Sequence, residues 1–193
     1  MRILIMGAPG SGKGTQATRI SERYGIPAIS TGDIFRGMLA TETPIANEIR
    51  TIMAAGGYVP DTVTNTIVAE RLARPDCRDG FLLDGYPRTL HQVGTLDFLL
   101  AHDSVTLDGV FALRVDENEV TRRLLVRAQL SGRSDDTEAT ILIRQRVYAE
   151  QTEPLLDAYR RRQLLTDIDA RGTVGEVFER ITRILDDRGA VAA

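Results

Sequence analysis

RILIMGAPGSGKGT, residues 2–15, decides how the rest of the 193-residue chain is read. The apolar run RILIM (2–6) suits one buried strand, GAPGSGKGT (7–15) breaks it with a glycine-rich turn, and the periodic stretch 13–24 predicts a helix. Such a turn, set between a buried strand and a helix, exposes successive backbone N–H groups beside the positive end of the helix dipole. The two together make an anion cradle. Gly7, Gly10, Gly12 and Gly14 are read as permitting positive φ and a close approach of backbone to phosphate. Lys13 is the only lysine in a chain whose other basic side chains are nearly all arginine. A compact, flexible ammonium can follow a phosphoryl group as charge moves from leaving to attacking oxygen, which a rigid guanidinium does less well. The Walker A spacing is imperfect at one place: Gly14 stands where that pattern has Ser or Thr, and the hydroxyl comes one residue later, at Thr15.

Outward from this stretch, short apolar runs alternate with longer helical periodicities. AIS (28–30), FLLDG (81–85), VFALRV (110–115) and QLLTDI (163–168) join RILIM as five strands. Helices are expected at 13–24, 32–41, 45–55, 61–74, 89–101, 116–129, 137–160 and 173–187. N-caps or helix starts are placed at Thr31, Thr43, Asp61, Asp116, Asp136 and Gly172-Thr173. Continuous apolar runs fit strands buried on both faces, so the expected fold is α/β: three layers around a doubly wound, parallel, five-stranded sheet. Two stretches interrupt the rhythm, a small helical insertion at 30–60 closed by AAGGYVP and the polar loop RAQLSGRSDD (127–136).

Composition narrows the field. A formal charge of −3 supplies no broad basic field for nucleic acid. Cys77 is the sole cysteine, which forbids an internal disulfide and a cysteine-based zinc site. The apolar N-terminal run is too short for a signal peptide or a membrane span, so a cytoplasmic location is expected. At this length a single core is expected.

DGYPR (84–88) places Asp84 at the carboxyl end of a strand, the edge where ligands bind in open α/β sheets. A carboxylate there is a candidate to hold Mg²⁺ through its water shell, because Mg²⁺ dehydrates reluctantly and is commonly held by one carboxylate plus phosphates. STGDIFR (30–36) opens a helix and carries Arg36. Arg88, Arg123, Arg127, Arg133 and Arg144 are, taken singly, ordinary helix-face arginines, and their weight depends on whether they converge.

GAPGSGKGTQA, GIPAISTGDIFR, GFLLDGYPRT with Gln92, GRSDD and GTVGEV recur in an order that resembles the adenylate kinase family over essentially the whole chain, in its short-LID bacterial form. The resemblance implies a P-loop NTPase fold, a nucleoside-monophosphate-binding insertion at 30–59, a LID at 126–137, and the Mg²⁺-dependent reaction ATP + AMP ⇌ 2 ADP in a monomer. It assigns Gly10, Ser11, Gly12, Lys13, Gly14 and Thr15 to the ATP phosphates, Arg123 and Arg127 to the ATP side, and Gly172 to the adenine. It assigns Thr31, Arg36, the backbone of Gly57, Tyr58 and Val59, then Gly85, Tyr86, Pro87, Arg88 and Gln92, to AMP. Arg133 and Arg144 match the arginines that bridge the phosphates, and Asp84 the carboxylate linked through water to Mg²⁺. Lys13, Asp84, Arg88, Arg123, Arg133 and Arg144 are thereby the catalytic set, with ATP, AMP and ADP as partners and neither nucleic acid nor membrane. The chain departs from the pattern in three ways: AQLS lengthens the shortest LID, Tyr86 replaces the usual phenylalanine, and Ser134 stands where a second basic residue often occurs.

Two other readings remain open at this level. A UMP- or CMP-type kinase keeps the chemistry and changes the acceptor; Thr31 argues against it, since pyrimidine-type relatives tend to have a small apolar residue there. A P-loop switch is disfavoured because an NKxD guanine-recognition motif needs a lysine and Lys13 is the only one.

Overall fold

The computed structural model describes residues 1–131 and 137–192, with side chains for all of these except 117, 127–131 and 188–192. Strands β1 (Arg2–Gly7), β2 (Ala28–Ser30), β3 (Phe81–Asp84), β4 (Gly109–Arg114) and β5 (Leu165–Asp169) form one parallel sheet in the order β2-β3-β1-β4-β5. Between and after them lie helices α1 (Lys13–Tyr24), α2 (Thr31–Met38), α3 (Pro44–Ala54), α4 (Asp61–Leu72), α5 (Leu90–His102), α6 (Glu117–Ser131), α7 (Glu138–Val147), α8 (Glu153–Arg161) and α9 (Val174–Ala192).

Alternation along the strands builds the layers. In β1, Leu4 and Met6 face one way and join Leu83, Val110 and Ala112 against Val93, Leu96, Leu155 and Tyr159 of α5 and α8. Ile3 and Ile5 face the other way and join Leu82, Phe111 and Leu113 against Ile20 of α1 and Ile181 of α9. Both faces are therefore dry, which is why these strands read as unbroken apolar runs. The expected doubly wound α/β architecture is the one found. A separate small cluster of Phe35, Ile49 and Val59 holds α2 and α3 together.

Several boundaries move for local reasons. Ser30, not Thr31, caps α2: its hydroxyl accepts from the Asp33 N–H while Thr31 is already helical. Asp61 is the first residue of α4, the helix start expected there; it follows Pro60, and its carboxylate goes to distant partners instead of capping. Thr137 caps α7, through its hydroxyl and the Thr140 N–H; Asp136, the residue expected to do so, lies outside the described residues. Thr43, Asp116 and Thr173 cap as expected. The strand expected at 163–168 runs instead from Leu165 to Asp169, because Gln163 takes a positive φ of 57° and ends the preceding turn. The single helix expected at 137–160 is two, α7 and α8, joined by a wide π turn at Tyr148–Thr152. Pro154 has no N–H to continue an α ladder, and the Glu153 N–H reaches back five residues to the Tyr148 carbonyl.

Candidate active site

The strand order sets the site. β1 and β3 are neighbours with Ile5 opposite Asp84, so the glycine-rich turn after β1 and the DGYPR turn after β3 leave the same edge of the sheet side by side. They open into one cleft of about 820 Å³ that also takes in α2, the Gly56–Val59 turn, the start of α6, Arg144 of α7 and the β5–α9 turn.

Gly7, Gly10 and Gly12 hold φ of 144°, 86° and 96°. At Gly10 a Cβ would stand 2.7 Å from Leu124 Cγ and 3.0 Å from the Val120 carbonyl, so α6 packs directly on the turn. Gly14 differs from its expected role: it is the second residue of α1 with no positive φ, and a Cβ there would meet Asp84 Oδ2 at an ordinary 3.6 Å. Gly12 caps α1 without any side-chain bond, which leaves the first-turn N–H groups, unsatisfiable within a helix, aimed out of its end. Lys13 Nζ arches over the turn and donates to the carbonyls of Gly7 (2.6 Å) and Ala8 (2.8 Å).

Asp84 marks the floor. Burial pushes its pKa above the ordinary aspartate value; Lys13 opposes this most strongly, followed by Arg88, with Asp33 and Arg36 also close enough to be felt. Charges from three separate chain segments thus converge on one carboxylate. Asp84 and Thr15 line the same cleft at the open end of α1, and a carboxylate in such a place suits a hydrated Mg²⁺ held mainly by phosphate. Among the described residues no group of three or more His, Cys, Asp or Glu side chains could hold a metal ion unaided.

On the α2 side, Arg36 pairs with Asp33 (2.5 Å). Gly85, at φ 79°, offers its carbonyl to the Thr31 hydroxyl (2.9 Å) and to Arg88 Nε (2.7 Å), ahead of a cis Tyr86–Pro87 peptide. The Arg88 guanidinium lies 4.7 Å above the Tyr58 ring. Thr31 and Gln92 are each 1% exposed and stand behind the cleft lining. Gln92 Oε1 accepts from the Arg88 N–H and its Nε2 donates to Asp61, whose other oxygen accepts from Thr89. Tyr86 is buried, and its hydroxyl finds Asn65 Oδ1 at 2.8 Å and the Gln92 carbonyl at 3.2 Å. A phenylalanine could make neither bond.

On the opposite side, Arg123 Nε donates to Glu119 Oε1 (2.7 Å), and its terminal nitrogens reach the carbonyls of Ser11 (3.4 Å) and Ala170 (3.1 Å). Glu119 also receives Arg122, and these two arginines, Arg122 first, pull its pKa down to about 2. Gly172 (φ 98°) ends at the cleft beside the capping box formed by Thr173 and Glu176. Arg144 lines the cleft with its Cγ against Gly56. The Arg127 side chain and all of Arg133 lie outside the described residues. Sequence reasoning did not single out Asp33, Glu119, Arg122 or Thr152, and named Asp61 only as a helix cap or start. Asp33 and Glu119 stand one helical turn before arginines of interest, a spacing at which a pairing carboxylate could have been sought.

A parallel sheet with a glycine-rich phosphate loop at its switch point, a lysine over that loop and arginines gathered around one carboxylate defines a P-loop phosphotransferase acting on nucleotides. The comparisons with known proteins narrow the class. A family model described as adenylate kinase matches residues 5–164. The chain is 51% identical over 187 residues to an adenylate kinase of Leifsonia xyli subsp. xyli, covering 97% of this chain and 94% of the relative. It is 52% identical over 186 residues to one of Nocardioides sp. (96% and 97%), and 49% identical over 188 residues to one of Thermobifida fusca (97% and 100%). The chain belongs to the adenylate kinase family, and the UMP- or CMP-type alternative is not favoured.

Proposed function

We propose that this chain transfers the terminal phosphoryl group of Mg²⁺-bound ATP reversibly to AMP, giving two ADP, with ATP on the α1–α6–α9 side of the cleft and AMP on the α2–α5 side. The observation that carries this reading is the meeting of Lys13 from one flank with Arg88 and Arg36 from the other at Asp84. Phosphates entering from opposite ends would abut there, donor and acceptor in line. The N–H groups of the α1 end and Lys13 hold the donor phosphates, with Lys13 following the group in transit. Arg88, Arg36 and Arg144 screen repulsion between the two phosphate chains and stabilise charge on the equatorial oxygens. Asp84 with Thr15 would hold the metal, which supplies charge neutralisation on the donor phosphates. The Arg123 plane and Gly172 flank the donor base.

In this reading residues 30–59 close over AMP and 126–137 over ATP, which excludes the water that would otherwise take the phosphoryl group; closure of an adenylate kinase lid is a standard example of such gating. Arg127 and Arg133 keep the roles the family resemblance gives them. The protein works as a cytoplasmic monomer. Among the described residues no helix is long and apolar enough to cross a membrane. A coupled assay with AMP, UMP, CMP and GMP in parallel tests the proposal: ADP formation should depend on AMP, and a preference for UMP or CMP, or hydrolysis indifferent to every monophosphate, would overturn it.

A further inference from the structure

The wide turn between α7 and α8 carries a buried hydroxyl with nothing to do for its own helix. Thr152, the last residue of that turn, is 4% exposed. Its Oγ1 lies 3.0 Å from the Arg88 carbonyl and 2.8 Å from the Tyr58 hydroxyl. A threonine hydroxyl has one proton, and a carbonyl can only accept. The proton therefore goes to Arg88, and Tyr58 must donate to Thr152. The relay runs in one direction: Tyr58 O–H to Thr152 Oγ1–H to the Arg88 carbonyl.

This relay grips Arg88 at both ends. Thr152 fixes its main chain, while Tyr58, oriented by its bond to Thr152, lays its ring 4.7 Å beneath the guanidinium. The remaining fixings, Nε to the Gly85 carbonyl and N–H to Gln92 Oε1, come from the loop and helix that follow β3. Among the described residues, the contacts that reach Arg88 from distant segments are those of Thr152 and Tyr58, from the α7–α8 junction and the turn ahead of α4. The π turn places Thr152 there: with one more residue in the turn than an α-helix allows, the side chains beyond it are rotated about the axis.

We propose that Thr152 is a positioning residue for the acceptor nucleotide. Through its relay with Tyr58 it holds Arg88 in the pose that meets the AMP phosphate. The inference rests on the assignment of Arg88 to the AMP side, and it goes beyond that assignment by naming two side chains that act through Arg88.

Steady-state kinetics on the whole enzyme, with each nucleotide varied in turn, test it. Thr152→Val keeps the shape and removes the hydroxyl; KM for AMP should rise about tenfold while KM for ATP stays within about twofold. Thr152→Ser should restore the wild-type value. Tyr58→Phe keeps the ring under Arg88, so a rise of about threefold is expected, and adding it to Thr152→Val should cost nothing further, because the orphaned hydroxyl is removed with its partner. An unchanged KM for AMP in Thr152→Val, an equal loss toward both nucleotides, or a failure of serine to rescue would each overturn the proposal. Should the valine variant not fold, Tyr58→Phe decides alone, and an unchanged KM for AMP there sinks the relay. Failure of the functional assignment looks different, since the wild-type enzyme would then form no ADP from AMP.

Discussion

Gly85→Ala offers the sharpest check on the geometry of the acceptor side. Gly85 sits at φ 79°, and a Cβ built on it would stand 2.8 Å from Thr31 Oγ1 and 2.8 Å from a terminal nitrogen of Arg88. The left-handed backbone alone costs an alanine about 1–2 kcal/mol. The Arg88 end is flexible and can swing aside. Thr31 cannot: it is 1% exposed, and its hydroxyl is bonded to the carbonyl of Gly85 itself. Stretching or losing that buried bond adds roughly 1 kcal/mol. The sum is about 2–3 kcal/mol, or a fall in Tm on the order of 5–10 °C for a chain of this size. Because Arg88 must leave its place over Tyr58, KM for AMP should rise as well, by about tenfold, with KM for ATP little changed. Gly94→Ala is the matched control. That residue lies within α5 with nothing inside 4 Å of a new Cβ, so alanine should stabilise by about 0.5–1 kcal/mol. Urea unfolding by linear extrapolation reads both changes on one scale. A Gly85→Ala protein within about 0.5 kcal/mol of wild type and with an unaltered KM for AMP would refute the reasoning.

Lys13→Arg should leave the unfolding curve close to wild type while removing most of kcat, since a planar fork cannot take the place of a compact ammonium that donates to both the Gly7 and Ala8 carbonyls; near-wild-type turnover would contradict the role given to Lys13. Glu119→Gln should raise KM for ATP more than KM for AMP by loosening Arg123. Acid should do the same: the folded pKa of Glu119 is depressed, so the contact is intact above the ordinary glutamate value near 4.5 and is lost as pH falls through about 2. ATP binding measured by titration at descending pH checks this. At the other extreme, burial first and then neighbouring Glu153 push Tyr148 up to about 12. A raised folded pKa gives stability that is complete below the free tyrosine value of about 10 and is lost as pH climbs to about 12, so Tyr148→Phe should flatten that part of the stability profile. An equally steep loss in the variant would count against it.

Much of this was readable from the chain alone where the physics is local. The phosphate loop needs only glycines, a lysine and a strand-to-helix change, all within residues 2–24, and the strand assignments needed only short apolar runs. Reading failed where a side chain had two possible employers. Ser30 and Thr31 are equally good caps, and the choice fell to Ser30 because the Thr31 hydroxyl is drawn off by Gly85, 54 residues away. Asp61 reads as a cap or a helix start; it is the start, and its oxygens go to Thr89 and Gln92. Periodicity alone carried one helix from 137 to 160, because a single extra residue in a turn shifts the pattern by less than a short window can register.

By itself, then, the sequence settled the α/β class, the parallel sheet, the glycine-rich turn between β1 and α1 and the family, since each depends on patterns among residues close in the chain or repeated along it. Only the folded molecule decided which charges share a space. Lys13, Arg36 and Arg88 meet at Asp84 because β3 inserts between β2 and β1, and Thr152 reaches Arg88 because one helical turn is wider than the rest. Coulomb interactions and hydrogen bonds act through angstroms of space, and the distance between two residues along the chain says little about that.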